Sequence, residues 1–121
     1  TMDVGIDIIE IKRIEDALVQ HGDSFLNKIL TPLEKEYCLG FKNPVPSIAG
    51  RFAAKEACAK ALGTGLGEFL AWKDMEITHE PSGRPQLILS EKTQQHFDSP
   101  SLSLSISHCK QYATAIVIRN K

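Results

Sequence analysis

The sequence predicts an α+β domain, helices packed on a mainly antiparallel sheet, from three observations. A β-branched run opens the chain at residues 4–9, an alanine-rich stretch of helical period fills residues 48–62, and two alternating strand patterns joined by a tight turn close it. Val4, Gly5, Ile6, Asp7, Ile8 and Ile9 are apolar on both faces except at Asp7, so the expectation is a buried strand carrying one acid. Ile11, Ile14, Leu18 and His21 follow at helical spacing, and Gly22 supplies a stop. Thr31 as N-cap, Pro32 at the first helical position and Glu34 in the first turn start a second helix that runs to about Leu39. Pro44 and Pro46 break the pattern over residues 42–47, and the longest helix is expected at 48–62, ended by Gly63, Gly65 and Gly67. Residues 72–78 and 86–90 read as strands flanking a turn that holds Pro81, Gly83 and Pro85. A brief helix at 91–97 and strands at 102–107 and 113–118 complete the chain.

Composition bounds the function classes. At 121 residues the chain fits one domain able to bury a core without disulfide or structural metal. Thr1 precedes Met2, a natural start residue, so the domain is taken as residues 2–121. Lys plus Arg number 14 against 15 for Asp plus Glu, which gives no general electrostatic case for nucleic acid or an anionic membrane. Cys38, Cys58 and Cys109 are odd in number, widely spaced and form no CxxC pair, so a disulfide framework and a zinc site are both disfavoured. Reduced thiols suit a cytoplasmic protein. Apolar runs fall far short of the ~20 residues that span a bilayer.

Four places carry chemistry. A carboxylate such as Asp7 inside an apolar strand requires a partner, whether an arginine, a helix N-terminus or a cation. In the long helix Ala49, Ala53, Ala57 and Ala61 form a small-residue stripe, with Glu56 at its edge and Lys60 four residues on, so the two side chains serve either as a surface ion pair or as one phosphate site. Gly63-Thr64-Gly65 is either a helix C-cap or a set of amides open to an anion, and it matches neither nucleotide-loop pattern. His108 ends a strand on the side of Leu102, Leu104 and Ile106, as a hydrogen-bonded structural histidine or a ligand group. A Ser107-His108 hydrolase pair is disfavoured, because adjacent strand residues point to opposite faces and no GxSxG elbow is present. Arg13 faces outward from the first helix, where the local reading is a pair with Asp16.

Taken together, GIDIIEIKR at 5–13, RFAAKEACAKALGTG at 51–65, GRP at 83–85 and SISH at 105–108 closely resemble the holo-acyl-carrier-protein synthase family, in order and over nearly the whole chain. The Thr31 and Glu34 helix start is also similar to the family's, whereas Cys109, His79 and Glu80 depart from its usual residues. The resemblance implies a 4'-phosphopantetheinyl transferase fold and transfer of phosphopantetheine from coenzyme A to a serine of apo-acyl-carrier protein, for fatty-acid biosynthesis. It implies that Asp7 and Glu56 bind Mg²⁺ with the coenzyme A pyrophosphate, that Glu56 acts as base directly or through water, and that Lys60 stabilises the departing phosphate. Arg51, Gly63, Gly65, Pro85 and His108 then shape the coenzyme A cleft, and Arg13 contacts the carrier protein. A homotrimer with sites at subunit boundaries is implied as well. Two alternatives stand beside this: a transferase serving a secondary-metabolism carrier, and a non-catalytic nucleotide-binding module.

Overall fold

The computed structural model describes residues 1–120. In order it contains β1 (Met2–Glu10), α1 (Ile11–His21), α2 (Asp23–Ile29), α3 (Pro32–Leu39), α4 (Val45–Leu62), a 3-10 turn (Trp72–Asp74), β2 (Met75–His79), β3 (Pro85–Leu89), α5 (Glu91–His96), β4 (Ser101–His108) and β5 (Tyr112–Asn120). The α+β expectation holds, with the strands divided between a β1-β5-β4 sheet and a β2-β3 hairpin, all pairings antiparallel.

Local chemistry explains most boundaries. Thr31 closes a full capping box on α3: its Oγ1 accepts from Glu34 N at 3.3 Å, and Glu34 Oε1 accepts from Thr31 N at 2.9 Å. Helix α4 starts three residues earlier than its periodicity suggests, at Val45. Pro46 then falls in the first turn, where its missing N–H leaves no bond unmade. Gly63 ends α4 in the left-handed conformation (φ 76°), and its N–H donates to Lys60 O. Helix α2 is a finding the periodicity did not give. Seven residues are too few to display a period, and this helix is held by burial of Leu26 and Ile29. The strand expected from Trp72 begins only at Met75, because residues 72–74 coil into the 3-10 turn that Asp74 caps through Ala71 N.

One helix and one sheet build the site. Helix α4 lies across β1, β5 and β4, and the sheet face beneath it carries Gly5, Asp7 and Ile9 opposite Val117, Ala115 and Ala113. Ala49, Ala53, Ala57 and Ala61 are all buried, as the small-residue stripe requires. Contact there is backbone to backbone. A Cβ on Gly5 would stand 1.9 Å from Ala57 O and 2.7 Å from Ala61 N. The opposite face of β1 contradicts the expectation of a strand buried on both sides, since Met2, Val4, Ile6 and Ile8 are exposed in the single chain.

Candidate functional site

Asp7 is carried to the C-terminal half of α4 by the Gly5 contact, two residues upstream on the same strand face. Its carboxylate keeps 17% of its side-chain surface, so it is half-buried at the sheet margin and not sealed in the core. Lys60 Nζ donates to Ile6 O at 2.8 Å and to Asp7 Oδ1 at 3.3 Å. The i,i+4 spacing suggested Glu56 as the partner of Lys60, but the hydrogen bonds of this lysine run to β1. Glu56 nevertheless belongs to the cluster. Burial holds its carboxyl above the usual carboxylate range, the Asp7 charge raises it further, and Lys60 pulls it down in part. Two carboxylates close enough to repel, beside one ammonium and reached from solvent, form a set that a hard cation would satisfy, with the ammonium free to meet a phosphate oxygen. Among the described residues no group of three or more His, Cys, Asp and Glu side chains is placed to hold a metal. Such a set fits Mg²⁺, which needs few protein ligands when substrate oxygens and water complete its shell.

A second charged cluster lies inside the protein, and the sequence did not single it out as a site. Lys55, next to Glu56 on α4, is fully buried and donates to Glu34 Oε1 at 2.6 Å and Ile29 O at 2.7 Å. Glu34 Oε2 accepts from Ile77 N at 2.9 Å. The sequence carried little signal for it: Arg51 and Lys55 stand four apart on α4 with Glu56 beside them, a pattern that reads as a solvated helix face.

Arg51 occupies the first half of α4 at 4% exposure. Its guanidinium lies 4.5 Å from the Tyr37 ring centroid, Tyr37 stacks on His79 at 4.6 Å, and Arg51 Nη1 donates to Ser47 Oγ at 3.2 Å. Nε and Nη2 are buried without a partner among the described residues. Orphaned guanidinium donors are costly in isolation and match an anion. Burial, then the Arg51 charge, lowers the His79 pKa below the ordinary imidazole value.

The remaining candidates separate into two regions. Gly63 and Gly65 follow Lys60 directly, both with positive φ, and open space surrounds their missing side chains. His108 is exposed on the α4 side of the sheet, aligned through Ala113 with Ile9, one row beyond Asp7 and two strands away, roughly 10 Å at the usual strand spacing. Pro85 instead lines a groove of about 770 Å³ between β3 and β4, together with Arg84, Glu80, Ser103 and Ser105. Asp7 and the Pro85 groove thus lie at opposite margins of the β1-β5-β4 sheet and do not meet within one chain. Arg13 is exposed on α1, and its expected pair with Asp16 is made instead by Lys12, at 2.8 Å.

Comparison with known proteins gives a uniform result. A family model described as the 4'-phosphopantetheinyl transferase superfamily matches residues 3–117. A holo-[acyl-carrier-protein] synthase of Chlamydia pneumoniae is 50% identical over 115 residues, covering 95% of this chain and 93% of the relative. The Protochlamydia amoebophila synthase is 48% identical over 118 residues, with 98% and 97% covered. Among solved structures, the Helicobacter pylori holo-[acyl-carrier-protein] synthase in complex with coenzyme A superposes with TM-score 0.90 at 41% identity, covering 97% of this chain and 99% of that one. The Neisseria meningitidis synthase gives TM-score 0.92 at 34% identity, with 98% of each chain covered.

Proposed function

The chain belongs to the 4'-phosphopantetheinyl transferase superfamily, and from that membership we propose the reaction of its site: transfer of 4'-phosphopantetheine from coenzyme A to a serine of apo-acyl-carrier protein. Relatives that match over nearly their full length are holo-[acyl-carrier-protein] synthases, and one solved relative holds coenzyme A. The observation that carries the reading is the Asp7, Glu56 and Lys60 cluster, where the motif at 5–13 meets the motif at 51–65.

The serine hydroxyl attacks the pantetheine-side phosphorus of the coenzyme A pyrophosphate. A serine O–P bond forms, the bridging P–O bond breaks, and adenosine 3',5'-bisphosphate departs with the bridging oxygen. Glu56, with its pKa raised by burial and by Asp7, takes the serine proton directly or through a water. Lys60, held by Ile6 O and half-exposed, turns its ammonium toward the charge that grows on the leaving phosphate. Mg²⁺ held by Asp7 and Glu56 would supply charge neutralisation for the pyrophosphate. Arg51, with two free buried donors, and His108 take the nucleotide phosphates, the amides around Gly63 and Gly65 allow close approach, and Pro85 walls the nucleotide end.

Two features support a homotrimer with composite sites. The outer face of β1 exposes Met2, Val4, Ile6 and Ile8 in a row, a contiguous apolar surface suited to a second chain. Moreover, the Asp7 margin and the Pro85 groove of one chain are separated, so a shared site would join one margin to the other chain's groove. Arg13, exposed on α1, docks the carrier protein. A cytoplasmic location and a role in fatty-acid synthesis accompany this reading; no described helix is long and apolar enough to cross a membrane, and the cysteines are free. The test is transfer from labelled coenzyme A across a panel of carrier proteins, with and without a chelator. Labelling of the fatty-acid carrier that a chelator abolishes supports the reading; preference for a secondary-metabolism carrier, or turnover in the chelator, contradicts it.

A further inference from the structure

We infer that the buried Lys55–Glu34 pair is a positioning device that fixes the rotation of α4 about its axis and thereby places the Glu56 carboxylate; this rests on the reading that Glu56 serves phosphopantetheine transfer. On the sheet side of α4 the directional side-chain bonds come from Lys60, a half-exposed lysine that reaches Ile6 O and Asp7 Oδ1 from solvent, and the buried contact beneath it is made by small residues. Those residues are Ala49, Ala53, Ala57 and Ala61 against a glycine-bearing strand, and such small side chains permit close approach without interlocking. Successive helical residues stand about 100° apart, so Lys55 lies roughly 200° from Ala57, on the far side of the helix, with Glu56 between them.

On that far side the bonds are short and directional. Lys55 Nζ reaches Ile29 O at the end of α2 and Glu34 Oε1 in α3. Glu34 in turn holds the α3 cap through Thr31 N and β2 through Ile77 N. Three elements therefore grip one lysine adjacent to the proposed base. Stability alone does not call for this arrangement, because apolar residues of similar volume usually replace a buried ion pair without loss. Apolar contacts tolerate sliding, however, whereas hydrogen bonds of 2.6 and 2.7 Å do not. A rotation of roughly 10° would move a group about 6 Å from the helix axis by about 1 Å. Displacements of that size cost up to roughly 100-fold in rate when a reacting group must be aligned.

The experiment compares the full-length wild type, Glu34→Gln/Lys55→Met and Glu34→Gln alone. The double variant leaves no charge buried alone, and the single variant keeps Lys55 facing neutral acceptors should the double variant fold poorly. Rates are expressed per folded molecule, with the folded fraction taken from circular dichroism. The expected result for the double variant is a kcat lower by roughly 10- to 100-fold with KM for coenzyme A within about threefold, and intermediate behaviour for Glu34→Gln. The Mg²⁺ concentration giving half-maximal rate should rise as well. A purely structural pair would lower the folded fraction and leave kcat per folded molecule unchanged, and that result in either variant overturns the inference. Glu56→Gln is run alongside. An active wild type, a silent Glu56→Gln and a normal double variant refute the positioning role alone; an inactive wild type or a fully active Glu56→Gln overturns the functional reading and the inference together.

Discussion

Replacing Gly5 by alanine is the smallest change that should disable the site without touching a charged group. The added Cβ would meet Ala57 O at 1.9 Å, where real contacts are essentially never under 3.0 Å, so strand and helix must part by at least about 1.1 Å. The obstacle is backbone in the middle of a helix, with no rotamer able to turn aside. Overpacking of well-filled interiors costs about 1–3 kcal/mol, and a rigid obstacle places this substitution at the upper end. For a domain of this size that is a fall in Tm of roughly 10 °C. The same separation draws Asp7 away from Lys60, whose 3.3 Å contact bridges β1 and α4. A displacement of about 1 Å in the reacting groups predicts a kcat loss of up to roughly 100-fold in the molecules that remain folded. Differential scanning fluorimetry and transfer rates below the melting range measure the two effects separately. An alanine variant with wild-type Tm and wild-type rate would refute the account of how β1 and α4 build the site.

Three further outcomes follow from the charges and thiols. Glu56→Gln should abolish most transfer and yet raise the Tm of chelator-treated protein by about 1–2 °C near neutral pH, a few tenths of a kcal/mol after solvent screening. The folded-state pKa of Glu56 is raised, so the folded protein holds this proton more tightly than the unfolded chain does. Stability from the group is therefore present at low pH and lost as pH climbs through the raised pKa; the Tm gain should vanish below the ordinary carboxylate range, and a variant less stable than wild type at neutral pH would contradict the assignment. Alkylation by iodoacetamide should stop at one thiol by intact mass: Cys109 is exposed with its pKa lowered by backbone hydrogen bonds, whereas burial pushes Cys58 up to about 12 and raises Cys38, so early modification of either buried thiol would disprove the packing around α4. Arg13→Ala should raise the KM for carrier protein far more than that for coenzyme A, most at low salt, with Arg13→Lys restoring part; equal effects on both substrates in a salt series would remove Arg13 from the docking surface.

Legibility in the sequence followed the range of the forces involved. The α3 cap was readable because Thr31, Pro32 and Glu34 act within one turn, and the long helix because the alanine stripe repeats over more than three turns. Asp7, Glu56 and Lys60 were readable as candidates from motifs, but the partner of Lys60 was not, since 53 residues separate it from Asp7. The exposed outer face of β1 was hidden for a different reason: an apolar side chain is the same letter whether its own chain or another covers it. Lys55 was obscured by prior expectation. Lysine inside a helix ordinarily reads as a solvated position, and Glu56 beside this one and Arg51 four residues before it strengthen that reading, so its membership of a buried pair shows only once α3 packs on α4.

If Asp7 and Glu56 serve phosphopantetheine transfer, intact-mass spectrometry of a carrier protein will register it at each residue separately. Apo-acyl-carrier protein is incubated with coenzyme A, Mg²⁺ and either wild type, Asp7→Asn or Glu56→Gln, while released adenosine 3',5'-bisphosphate is quantified in the same tubes. Wild type should add one phosphopantetheine per carrier with one nucleotide released for each, and both variants should leave the carrier mass unchanged while retaining a cooperative thermal transition. A carrier left unmodified by folded wild type, or modified at near wild-type rate by either variant, would contradict that reading.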